Sequence, residues 1–122
     1  MGSHPINLAV RFALEIAALI AAGMWAWKLT DSWARILLAL LLPIALATLW
    51  GVFAVPGDPS RSGAAPVPTS GIVRLIMELL ILNFGAWCFS ELGYLRLGSV
   101  MAMVIGIHYI LSYDRILWLF SR

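Results

Sequence analysis

The chain has 122 residues, 62% of them hydrophobic and only 11% charged, with a net charge of +2 and a mean hydropathy of +0.95. Soluble domains carry about 25% charged residues, so this composition reads as an integral membrane protein, and so small and scattered a positive charge excludes nucleic acid as a partner. No zinc-ligand spacing, phosphate loop or nucleophile motif occurs, and Cys88 stands alone as a small buried apolar residue, so the sequence predicts no metal, no cofactor, no disulfide and no catalytic residue.

The first residues show no basic cluster and no small-x-small cleavage site, so the first apolar stretch is expected to stay as a helix and not to leave as a signal peptide. Gly2-Ser3-His4 reads as a cloning remnant, and His4 is assigned no function. Span one is predicted over about residues 6–27, long enough for the hydrocarbon core of a bilayer. Ala9, Ala13, Ala17 and Ala21 place a small residue at every fourth position, which allows another helix to approach closely. Asn7, Arg11 and Glu15 form a polar stripe beside them. Residues 28–32 form a short turn whose Thr30, Asp31 and Ser32 are all good N-caps.

Span two is predicted over 33–53. Pro43 removes a helix donor near its middle, which predicts a kink, and Ala47 and Gly51 offer a close-packing pair. Residues 56–70, dominated by proline, glycine and serine, read as a solvated linker whose Thr69 or Ser70 caps the next helix. Span three is predicted over 71–89 and carries Arg74, Glu78 and Asn83. A tight turn at 90–94 leads to span four, predicted as one helix over 95–120. It has a second small-residue stripe at Gly98, Ala102 and Gly106, followed by His108, Tyr109, Tyr113, Asp114 and Arg115. The predicted fold is therefore a single all-α domain, 1–122, of four transmembrane helices in two hairpins.

Arg11-Phe-Ala-Leu-Glu15 and Arg74-Leu-Ile-Met-Glu78 are matching signatures at the heads of spans one and three, and they point to a parallel internal repeat with its axis along the membrane normal. Arg11, Arg61, Arg74, Arg115 and Arg122 fall on one side and Lys28, Arg35 and Arg96 on the other, which favours both termini in the cytoplasm. Trp25, Trp27, Trp33, Trp87 and Tyr94 would form the outer aromatic belt, and Trp50 and Trp118 the inner one.

At about 1.5 Å rise per residue, Arg11, Glu15, Arg74, Glu78, Asp114 and Arg115 all lie in the cytoplasmic half of the membrane. A lone charge at mid-membrane costs at least about 2.5–3.5 kcal/mol. The six are therefore expected to form one network between spans one, three and four, and with His108 and Tyr113 they are the candidate ligand-binding or proton-carrying residues. The competing reading is structural: the arginines snorkel, or each Arg–Glu pair satisfies itself and fixes only helix register. His108 suits a proton relay or, more commonly, a core histidine bonded to a neighbouring helix. Tyr109, Tyr113 and Asn83 are positioned to donate to Glu15 or Glu78.

Asn7-Leu-Ala-Val-Arg11-Phe-Ala-Leu-Glu15, Leu49-Trp-Gly-Val-Phe53 ahead of Pro56, and Arg74-Leu-Ile-Met-Glu78 resemble the YrdB-like family of small bacterial membrane proteins across nearly the whole chain. The resemblance implies four spans in the bacterial inner membrane and supplies no activity. Small multidrug exporters are a looser likeness: they share the four spans and a first-span glutamate, but an arginine one turn from each glutamate here competes with a cationic drug.

Three functions follow. The first is binding or transport of a small polar or ionic solute, with a homodimer formed through one of the small-residue stripes. The second is a non-enzymatic structural or accessory protein whose polar layer only fixes packing. The third, an enzyme acting on a lipid or quinone head group through His108 or Asp114, lacks any recognisable catalytic geometry, so the chain is read as a non-enzyme whose certain partner is the lipid bilayer.

Overall fold

A computed structural model describes residues 4–58 and 65–122. The arginine at position 61, counted above for orientation, and the Gly2-Ser3 part of the presumed remnant lie outside the described residues. Among those described, the order is α1 (Pro5–Trp27), α2 (Ala34–Val52), β1 (Phe53–Ala54), β2 (Val67–Pro68), α3 (Gly71–Glu91), α4 (Leu95–Leu111) and α5 (Tyr113–Phe120).

Local signals explain most of these boundaries. Pro5 opens α1, where a missing N–H costs nothing, and the His4 ring accepts from the Ile6 amide at 3.2 Å as its cap. Ser70 Oγ caps α3 by accepting from the Val73 amide at 3.4 Å, as the sequence predicts. At α2 the cap position is Trp33, which makes no side-chain cap bond. Ser32 helps from one residue earlier, its Oγ accepting from the Ala34 amide at 3.3 Å.

α3 is the centre of the bundle, packed against α1, α4 and α5. Leu14, Ala18 and Ala21 of α1, Leu82, Ala86 and Phe89 of α3, and Met101, Ile105 and Tyr109 of α4 fill the space between them. Small residues set how close the axes come. A Cβ on Gly85 would sit 2.6 Å from the Ala18 Cβ, and one on Gly98 would sit 2.6 Å from the Ala86 carbonyl. The buried alanines of α1 are Ala18, Ala21, Ala22 and Ala26, while Ala9 and Ala13 of the predicted stripe are exposed. Gly98 is used inside the chain, whereas Ala102 and Gly106 face outward.

α2 packs chiefly on α1 and contributes no buried residue. It runs on as helix through Pro43. At that level a Cβ on Gly23 of α1 would lie 3.2 Å from the Ala39 carbonyl, the group whose helical donor Pro43 lacks, and 3.3 Å from the proline ring. Ala47 and Gly51 are exposed and bring no helix close within the chain.

Two expectations are corrected. Span four is not one helix: it breaks at Ser112, and α5 leaves α4 at 69°. The break carries α5 across the start of α3, so close that a Cβ on Gly71 would collide with the Leu119 carbonyl, and it turns Arg115 and Leu119 inward. The linker is not wholly solvated either. Phe53–Ala54 and Val67–Pro68 form a parallel two-residue ladder, the Thr69 amide donates to the Ala54 carbonyl at 2.9 Å, and Ala54, Val55 and Asp58 are buried.

α1, α2 and α3 are each long and apolar enough to cross a membrane, and the bent α4–α5 pair makes a fourth if it counts as one span. Large apolar side chains cover the outside, among them Ile20, Leu40, Leu41, Leu80, Met103 and Ile110. That surface suits lipid and would be unstable as a contiguous patch in water.

Candidate functional site

The polar groups gather at one end of the bundle, where α1 and α3 begin and α2 and α4 end. At their centre is Glu78, which is fully buried. Its carboxylate accepts from Arg74 Nε at 2.6 Å within α3, from Arg11 Nη2 of α1 at 2.9 Å, and from Arg115 Nη1 and Nη2 of α5 at 2.8 and 2.9 Å. Tyr109 of α4 donates its hydroxyl to the same group at 2.8 Å. One carboxylate thus ties four helices, through charge-assisted bonds that are stronger than neutral ones.

The second ring of contacts brings in the remaining elements. Arg74 Nη1 donates to the carbonyl of Trp50 and, at 2.6 Å, to that of Phe53, satisfying acceptors at the C-terminus of α2. The Trp50 ring lies beside the guanidinium carbons of Arg74 and Arg11, at 4.8 and 5.4 Å. Arg115 Nη2 also donates to Asp58 of the linker at 2.7 Å. Among the described residues, three arginines therefore stand against Glu78, Asp58 and Glu15, three charges of each sign.

Glu15 holds a looser position. Its nearest approach to Arg11 is 3.6 Å, from Nε, and 22% of its side chain is accessible. A buried neutral chain adjoins the cluster: Asn7 Nδ2 donates to Ser112 Oγ at 2.6 Å, and Asn7 Oδ1 bonds His108 Nδ1 at 2.8 Å. Asn7 thereby joins α1 to the break between α4 and α5. His108 is the core histidine held by a neighbouring helix.

Among the described residues, two grooves reach this layer. One, of about 180 Å³, lies between α1 and α2 and is lined by Glu15 and Trp50 among apolar side chains. The other, of about 220 Å³, lies between α1 and α4, with Asn7 and His108 in an otherwise apolar wall. No group of three metal-ligating side chains occurs among the described residues.

Residues 9–105 match the model of a family described as protein of unknown function, DUF2568. The chain belongs to this family. It is 45% identical over 119 residues to "Uncharacterized protein YrdB" of Bacillus subtilis (strain 168), a match covering 95% of this chain and 94% of that one. This is the family that the segments at residues 7–15, 49–53 and 74–78 resemble. No solved structure matches the chain.

In this DUF2568 member the structure brings together Arg11, Arg74, Glu78 and Arg115, sets Glu15 at their margin and His108 beside them. It leaves out two predicted residues. Tyr113 and Asp114 are exposed, because the break at Ser112 rotates α5 so that Arg115, and not its two predecessors, faces α3. The third acid of the cluster is Asp58 instead. The sequence gives little warning of this, since aspartate in a Pro-Gly-Asp-Pro stretch reads as a turn residue. Asn83 also stays apart: it is exposed and donates to the Leu79 carbonyl of its own helix at 2.8 Å. Trp50, assigned to the aromatic belt, instead packs against two guanidinium groups. The two Arg-x-x-x-Glu copies play unequal parts, with both arginines converging on the second glutamate.

Proposed function

We propose that the chain is a four-span membrane protein of the bacterial inner membrane, with both termini cytoplasmic, in which the charged layer is a clamp that fixes the bundle at its cytoplasmic end. On this reading the protein is a non-enzymatic structural or accessory component of the membrane. The observation that carries it is the saturation of Glu78, which takes donors from α1, α3, α4 and α5 with its charge balanced locally. A carboxylate so held is poorly suited to exchange a proton or a solute. Passage through a single chain is the less supported function. Beyond the charged layer the interior is filled by Ala18, Ala22, Leu82, Gly85, Ala86 and Met101, and among the described residues no polar path continues through it.

The test is thermal unfolding in mild detergent. Glu78→Gln leaves three arginines facing a neutral amide, and breaking a buried pair in this way costs about 3–5 kcal/mol. A large fall in Tm is expected. Glu15→Gln, at the margin, should shift Tm by far less. Equal Tm values for Glu78→Gln and the wild type would remove the clamp reading.

A further inference from the structure

We propose that the groove between α1 and α4 seats the hydroxyl head of a neutral lipid, an uncharged amphiphile whose polar group is an aliphatic alcohol and whose chain lies in the bilayer. The inference shares the membrane setting of the proposed function but not the clamp, because Asn7 and His108 lie beside the Glu78 centre and not in it.

Hydrogen bonding decides which ligand fits. Asn7 Nδ2 donates to Ser112 Oγ at 2.6 Å, so the atom that Asn7 turns to His108 is Oδ1, an acceptor, and His108 Nδ1 carries the proton of their 2.8 Å bond. An imidazolium would be a fourth cation in a layer where, among the described residues, three arginines already meet three carboxylates. With no carboxylate of its own, that charge is costly at this depth. The ring is therefore neutral, and its Nε2 is an acceptor. Nε2 has no hydrogen-bond partner among the described residues, although His108 is only 4% exposed and stands in the wall of the groove. An acceptor left facing an apolar wall is costly unless something donates to it.

The groove holds about 220 Å³, and beyond Asn7 and His108 its wall is made by Ile6, Val10, Val104, Ile107 and Leu111. Ile6 lies in the first turn of α1 and Leu111 ends α4, so on the four-span reading the groove sits where lipid heads meet their tails. Ile6, Ile107 and Leu111 are exposed, so the mouth opens sideways and lets an attached chain pass into the bilayer. A hydroxyl supplies the missing donor. An ester or ketone brings only acceptors, a carboxylate or phosphate sets negative charge against a lone pair, and an ammonium is a buried charge with no carboxylate in the wall.

The experiment photolabels the full chain, in phosphatidylcholine nanodiscs, with a dodecanol carrying a mid-chain diazirine, and locates the adducts by mass spectrometry. The expected result is saturable labelling of α1 and α4 around the groove, at Val10, Val104 or Ile107, which unlabelled dodecanol displaces. Dodecyl methyl ether has the chain but no O–H and should compete roughly tenfold less well, the effect of one unmade hydrogen bond. His108→Asn keeps a donor for Asn7 and lacks Nε2, and it should weaken labelling by a similar factor. Ile107→Trp blocks the mouth from an exposed position without touching the hydrogen-bonded chain and should abolish labelling, so the outcome does not rest on His108→Asn alone. Labelling that does not saturate, or that scatters over the lipid-facing surface, overturns the proposal. So does an ether that competes as well as the alcohol, or a folded His108→Asn that labels as the wild type does; either would mark the groove as an apolar lipid seat only. None of these failures touches the clamp, which the unfolding of Glu78→Gln tests separately.

Discussion

Tyr109 shares Glu78 Oε1 with Arg115, and it is the one uncharged donor to that carboxylate among the described residues. Tyr109→Phe keeps the ring packed against α3 and removes a hydrogen bond to a charged acceptor. Such bonds contribute about 1.5–3 kcal/mol, and the remaining arginine donors put the expected loss near the lower end. Thermal unfolding checks this, and an unchanged Tm would show that the hydroxyl adds nothing to the clamp. At this scale the sequence was informative about which residue types were too costly to leave alone. Arg11, Arg74, Glu78 and Arg115 were legible because ionised side chains within apolar runs must find one another. Asp58 was not, because a polar residue in a polar loop violates no rule, and only the folded chain brings it to Arg115.

Among the elements, α5 departs most from what periodicity alone predicts. Taken together, Leu95–Leu111 and Tyr113–Phe120 are apolar enough for one span, and the polar run Ser112-Tyr-Asp-Arg115 between them reads as charge buried within it, so the sequence does not mark a 69° turn there. The causes are tertiary: Asn7 draws on the Ser112 hydroxyl, Arg115 is held by Glu78 and Asp58, and Gly71 leaves space for the Leu119 backbone. Gly71→Ala should therefore push α5 off α3 and lower Tm sharply. Gly106→Ala, where an added Cβ meets nothing within 4 Å, should raise stability by about 0.5–1 kcal/mol through helix propensity. Comparing the two melts separates a docking glycine from an incidental one. α1, α2 and α3 were legible to within about two residues because length, apolar content and the Ser70 cap all agreed.

For the molecule as a whole, the charged end of the bundle holds Arg11, Arg74 and Arg115 of the arginine-rich side of the sequence, and the proposed orientation puts that end in the cytoplasm under the positive-inside rule. A green fluorescent protein fused after Arg122 should fluoresce, and alkaline phosphatase fused there should be inactive; the reverse pair of results would invert the orientation. The all-helical character of the chain, and the convergence of Arg11, Arg74, Glu78 and Arg115, were readable before any coordinates, but the division of the last apolar stretch into two helices was not. What was hidden was the inequality of the two repeats: identical spacing of arginine and glutamate gives one carboxylate at the centre and one at the rim, since only α3 has neighbours on every side.

That inequality has a consequence for biosynthesis. If the chain inserts into the membrane as it is made, as the proposed function requires, Arg11 enters before Glu78 exists, so its main counter-ion in the finished structure is one it could not have had during its own insertion. Glu15, one turn along the same helix, is the carboxylate present at that moment. A nascent α1 can thus carry its charge as a neutral pair and hand Arg11 over when α3 arrives. Glu15→Gln should then reduce the amount of newly made chain that reaches the membrane fraction in a pulse-label experiment, more than it reduces the Tm of the chains that do.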